Sequence, residues 1–195
     1  MKEARVDPRA YAGGAAFVEG RFVSNGGFHA VQLAADLDTV AAALVRAAEL
    51  AGQRLHRLLD HRFSGLPDQL ACDPGPQAGL VVVQKRAVGA LNELRRLALP
   101  ASVGLADTSL GQEDAMTFAF EGAAKLRRVE ALVREVTACE LLAARQAWSL
   151  RGQPPPAFAG RLAEVVEPVT VDRPLGPDIS AVADLLERNE LFSPW

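Results

Sequence analysis

The chain has 195 residues, 49% of them hydrophobic and 23% charged, with a formal net charge of −3 at pH 7. That balance is globular rather than disordered, and the length is enough for one domain with a sizeable core. A mildly acidic chain without a basic stripe excludes a nucleic-acid footprint, and no run approaches the roughly 18 apolar residues that span a membrane. Aromatic residues make up only 6%. Ala, Leu and Val dominate the apolar set, which favours helix over sheet.

The N-terminus, "MKEARVDPRAYAGG", lacks an apolar core of signal-peptide length. Residues 1–27 read as irregular, with a short alternating piece from Phe17 to Val23 that predicts a small hairpin. From Phe28 a helical pattern begins, in which Ala34, Ala41, Val45, Ala48, Leu55 and Leu59 recur at helical spacing. "FSGLPDQLACDPGPQAG" breaks it. A second helix is predicted over 77–97, ended by Pro100. A third is predicted over about 110–150, then the breaker "RGQPPPAF", a short helix over 157–166 and a last one over 178–191 capped by Asp178. A helix of about 38 residues is about 57 Å long. A compact monomer of this size has a radius of gyration of about 16 Å. The lengths therefore predict an all-α fold, an elongated bundle of long helices completed by partner chains. Residues 1–195 form a single helical domain in this reading, with 28–150 as the bundle and 151–195 as short C-terminal helices.

Candidate chemistry centres on Ser109-Leu-Gly-Gln-Glu-Asp114. Ser109 and Gln112 have capping-box spacing, and Glu113 and Asp114 suit the positive end of a helix that starts there. Cys72 and Cys139 are far apart and read as reduced thiols in a cytoplasmic protein. His56 and His61 are five apart, not at the i, i+4 spacing of a helical metal pair, so no metal site is expected. Lys125, Arg127 and Arg128 read as a solvated helix face.

The string Pro100-Ala-Ser-Val103, Thr108-Ser109 and Gln112-Glu-Asp114 resembles a stretch of histidine and related aromatic amino-acid ammonia-lyases. Asn25-Gly-Gly-Phe-His-Ala30, Leu58-Leu-Asp60, Ser64-Gly-Leu-Pro67, Glu140-Leu-Leu-Ala143 and Leu150-Arg151 are similar to further motifs of that family. So are Asp172-Arg173 and Gly176-Pro-Asp-Ile179. Order and spacing agree from about Asp7 to the end. The resemblance implies a helical, tetrameric assembly whose active sites draw on several subunits. It implies elimination of ammonia from an aromatic amino acid, or in aminomutases a shift of the amine to the β-carbon.

Residue by residue, the resemblance makes Glu113 the active-site carboxylate, Gln112 its hydrogen-bonding neighbour and Phe28 a pocket aromatic touching the substrate. The family's electrophile is a methylidene-imidazolone made from Ala-Ser-Gly, and the chain has none. Ala101-Ser-Val103 does not substitute, because the cyclisation needs the unhindered nitrogen of a glycine. The family's catalytic Tyr loop and its Gln-x-x-Tyr-x-x-Arg segment are also missing. The implied arrangement is a split enzyme. A second chain, equivalent to the N-terminal portion of a lyase, carries the prosthetic group, and the two form a hetero-oligomer with a tetramer-like core. The alternatives are an aminomutase subunit or a non-catalytic, repurposed lyase-like partner. Gly111, Ala115 and Leu99 stand where the family has Asn, His and His, which weighs against histidine as substrate.

Overall fold

A computed structural model describes residues 15–24, 30–104, 110, 116–154 and 156–191. The predicted hairpin is present: β1 (Ala15–Val18) pairs antiparallel with β2 (Arg21–Ser24). Glu19 and Gly20 make the two-residue turn with φ of 52° and 78°. Positive φ at both central positions matches the twist of the strands they join. The remaining elements are helical: α1 (Val31–Leu59), α2 (His61–Ser64), α3 (Val81–Leu97), α4 (Ala119–Leu150), α5 (Gly160–Val165) and α6 (Gly176–Glu187). Single 3-10 turns lie at Asp68–Leu70 and Ala157–Ala159. The all-α expectation holds, with the hairpin as an appendage. No helix among the described residues is long and apolar enough to cross a membrane.

The chain packs as two compact units, Met1–Ala42 with Ala98–Arg127, and Ala43–Leu97 with Arg128–Trp195. In the larger unit α3 runs back along α1. Gln84 Nε2 meets His56 Nδ1 at 3.0 Å and Arg95 grips Glu49 at 2.6 Å. A Cβ on Gly52 would come within 2.5 Å of Leu91 Cδ1, so the absent side chain lets the two helices approach. α4 returns antiparallel to α3, tied by Arg86 to Glu135 and by Arg128 to Glu93, both at 2.7 Å. Such pairs are half-exposed and screened by solvent, so they set register more than stability. Leu55, Leu80, Val83, Leu142, Leu162, Val182 and Leu185 fill the core of this unit. From Ala131 to Leu150 no residue of α4 is fully exposed, as expected of a central helix rich in Ala.

The loops of this unit are held by polar side chains, several of them from the recognised motifs. Gln146, 2% exposed, donates to Leu70 O at 3.2 Å and Val169 O at 2.9 Å and accepts from Val169 N at 2.8 Å. Asp172 accepts from the amides of Ala78 at 2.8 Å and Gly79 at 3.0 Å, on the approach to α3. Gly79 has φ +55°, and a Cβ there would lie 2.5 Å from Gln69 O, so only glycine fits. Asp60 caps α2 by accepting from Arg62 N, and Gly65 ends it in the left-handed region.

Two expectations are corrected. The third long helix starts at Ala119, not near Leu110. Phe118 has φ 54° and Leu110 φ 57°, which no continuous helix accommodates. Ser109 and Gln112, read as its cap, lie outside the described residues. The last helix starts at Gly176 with Leu175 as its cap, and no side chain caps it. Asp178 instead receives Arg173 at 2.6 and 3.0 Å, because the guanidinium offers a bidentate, charge-assisted partner.

Gln146→Leu keeps the volume but leaves two carbonyls and one amide buried without partners. The expected loss is about 3 kcal/mol, read as a lowered urea midpoint at unchanged slope. An unchanged midpoint would mean that water replaces the amide without penalty.

Candidate functional site

The most developed polar cluster in the smaller unit forms around Asp38. On α1 the buried positions run 34, 38, 41, 45, 48, and Asp38 is the one acid in that stripe. It is 9% exposed. Its Oδ1 accepts from Ala101 N at 2.9 Å and from Lys125 Nζ. Its Oδ2 accepts from Ser102 N at 2.9 Å and Ser102 Oγ at 2.6 Å. Lys125 also donates to Leu99 O at 2.8 Å. Burial by itself pushes the Asp38 carboxyl up. The Lys125 ammonium, the Ser102 hydroxyl and the two amides outweigh it and hold the group well below the usual carboxylate range. Lys125 is thus not on a solvated face as its sequence neighbours suggest. Arg128 too is engaged, with Glu93.

Glu113, Gln112 and Phe28 lie outside the described residues, as do Ser109 and Asp114. What is described flanks them. Ala30 precedes α1 with φ 49°, and Phe118 precedes α4 with φ 54°. Non-glycine residues in the left-handed region cluster at functional sites, where surrounding structure holds the strain. Leu99, Val103, Leu110, Met116 and Phe120 are all exposed in the same unit.

A separate open cleft of about 430 Å³ in the larger unit is lined by His56, Asp60, His61, Asp68, Gln69 and Gln84, among others. Asp60, His61 and Asp68 bring ligand atoms within 4.8 Å of one another. Each acid already has partners: Asp60 binds Arg62 through both oxygens, and Asp68 Oδ1 accepts from His61 N at 3.0 Å with His61 Nδ1 at 2.8 Å. The cluster is a capped turn. Of the cysteines, Cys139 is buried, and burial raises its thiol to about 12, which leaves it inert; Cys72 is exposed and free.

The chain as a whole has the fold of the lyases and aminomutases that work on aromatic amino acids. It superposes on tyrosine aminomutase from Streptomyces globisporus with a TM-score of 0.83 at 31% identity, covering 90% of this chain and 35% of that one. With histidine ammonia-lyase from Trypanosoma cruzi the TM-score is 0.82 at 27% identity, covering 89% and 35%. The family model for aromatic amino acid lyases matches residues 12–170. Histidine ammonia-lyase of Symbiobacterium thermophilum is 39% identical over 176 residues, 88% of this chain and 35% of that protein. The chain belongs to the aromatic amino acid lyase family. It spans about a third of the length of the curated relatives it matches.

There is no Ala-Ser-Gly, and the amide and hydroxyl of Ser102 are both committed to Asp38.

Lys125→Met strands a buried carboxylate and is expected to cost about 2–4 kcal/mol. The Asp38 carboxyl lies lower when folded than when unfolded, so its contribution is full above an unfolded value of about 3.9 and drains as pH falls through the folded one. Urea midpoints from pH 7 to pH 2 should show that acid-limb decline in the wild type and its absence in Asp38→Asn.

Proposed function

We propose that the chain is one subunit of a split ammonia-lyase-like enzyme that removes ammonia from an aromatic amino acid. The observation that carries the lyase-like reading is the family match. Close family identity covers 88% of the chain but 35% of a histidine ammonia-lyase, and the portion matched lacks the electrophile's Ala-Ser-Gly. A second chain supplies the methylidene-imidazolone, which acts as the electrophile toward the substrate. Glu113 contributes a carboxylate that pairs with the substrate ammonium or accepts a proton, Gln112 hydrogen-bonds beside it, and Phe28 packs on the aromatic ring. The exposed Leu99, Val103, Leu110, Met116 and Phe120 support an apolar partner surface around that segment. The complex is a cytoplasmic hetero-oligomer with a tetramer-like core in this reading.

The similarity to a tyrosine aminomutase favours a second outcome, in which the amine moves to the β-carbon instead of leaving.

Co-expression with the chain carrying the remaining lyase portion should give a complex that turns an aromatic amino acid into an arylacrylate, seen by ultraviolet absorbance. A β-amino acid product would select the mutase. No turnover on any aromatic amino acid would sink both. Glu113→Gln should lower kcat/KM on the order of 100-fold or more while leaving the complex's Tm in place. Equal losses of activity and stability would return Glu113 to a structural role.

A further inference from the structure

We propose that the outward face of α1 pairs with the same face of a second copy of this chain, antiparallel about a two-fold axis. This goes beyond the split-enzyme reading, because it concerns the chain with itself and holds whatever a second chain carries. α1 is one continuous helix, and its buried stripe runs through Ala34, Ala41, Val45 and Ala48. The opposite face repeats every seven residues. Leu33, Val40 and Ala47 form one row, Asp36, Ala43 and Leu50 the other, and all six are exposed. Leu33, Val40 and Leu50 are 54%, 46% and 57% exposed. Two largely apolar rows at heptad spacing are the seam along which helices pack side by side, and this seam is about 26 Å long. Left in water it is an unpartnered apolar face.

The occupant follows from how the seam matches itself. A two-fold axis level with the Ala41–Ala42 peptide sets Leu33 against Leu50 of the second copy, Val40 against Ala43 and Asp36 against Ala47. Leucines meet at the two ends, and small residues at the centre let the helices approach. The charged residues exposed between 31 and 50 are Asp36 and Arg46, which carry opposite signs. The same axis brings Asp36 to within one residue, about 1.5 Å along the helix, of the level of Arg46 of the second copy. That contact forms twice, as an isologous interface requires. Gln32 donates to Asp36 Oδ1 at 2.8 Å and steadies the carboxylate on that face. A parallel pairing instead sets Asp36 against Asp36 and Arg46 against Arg46, and like charges oppose it.

Sedimentation equilibrium of the full 195-residue chain tests this. The chain alone should dimerise, and Val40→Glu should weaken the dimer about 100-fold, because it buries an unpaired carboxylate from each copy in the seam. Asp36→Arg and Arg46→Asp should each weaken it about tenfold or more, since either reversal sets two like-charged pairs across the seam. An equimolar mixture of those two variants should recover the wild-type affinity, because the mixed pair restores opposite charges at both contacts. All three positions are exposed, so the variants should keep the fold, checked by unchanged helical circular dichroism. A chain that stays monomeric, a dimer indifferent to Val40→Glu, or a mixture no tighter than its components would overturn the proposal. So would a monomer whose binding to the chain carrying the remaining lyase portion is lost in Val40→Glu, which would give the face to that chain. The readout is mass rather than turnover. A complex inactive on every aromatic amino acid therefore removes the lyase reading and leaves this result in place.

Discussion

A carboxylate that is nine-tenths covered has to be neutralised, and the polar cluster that joins 99–102 and Lys125 to α1 is organised around that need. Asp38 takes a charge from Lys125 and three neutral donors from Ala101 and Ser102. The consequence is topological. Three stretches far apart in sequence, on α1, around 101 and on α4, meet at two oxygen atoms. Apolar packing, which is non-directional, holds surfaces together but does not choose a register with that precision.

The same division recurs in the larger unit. Its core is Leu, Val and Ala at helical spacing, and its loops are placed by a few polar side chains. Gln146 binds the 70 and 169 backbones at once, Asp172 holds the approach to α3, and Arg173 locks on Asp178. Arg151 reaches Ser64 O at 3.2 Å, which joins two of the recognised motifs. These side chains direct the backbone.

Helix existence and the family were legible in the sequence, because the apolar period of α1 and α3 and the motif order are dense signals. The start of α4 was not. Ser109 and Gln112 satisfy a local capping rule, yet the chain reaches Ala119 through a left-handed Phe118 before the helix begins. A local rule had no access to that. Lys125 was misread for a related reason. Its partner is 87 residues away, and its neighbours Arg127 and Arg128 look like surface. The available signal was on the other side: a lone Asp at position 38 in an otherwise apolar stripe demands a partner. Asp178 shows the converse, since a cap position and an ion-pair partner look identical from sequence. Phe28, Gln112 and Glu113 rest on the family pattern alone.

That distribution bears on what the chain does. The residues that direct the backbone are present and engaged, while the Ala-Ser-Gly from which the family makes its electrophile is absent. The serine of the Pro-x-Ser-Val turn gives both its donors to Asp38. A single apolar substitution at 38 would remove the desolvated charge, so what the acid, its cation and its serine supply together is direction rather than burial. The smaller unit also leaves Leu110 and Phe120 almost fully exposed. Apolar surface of that kind is costly to leave in water.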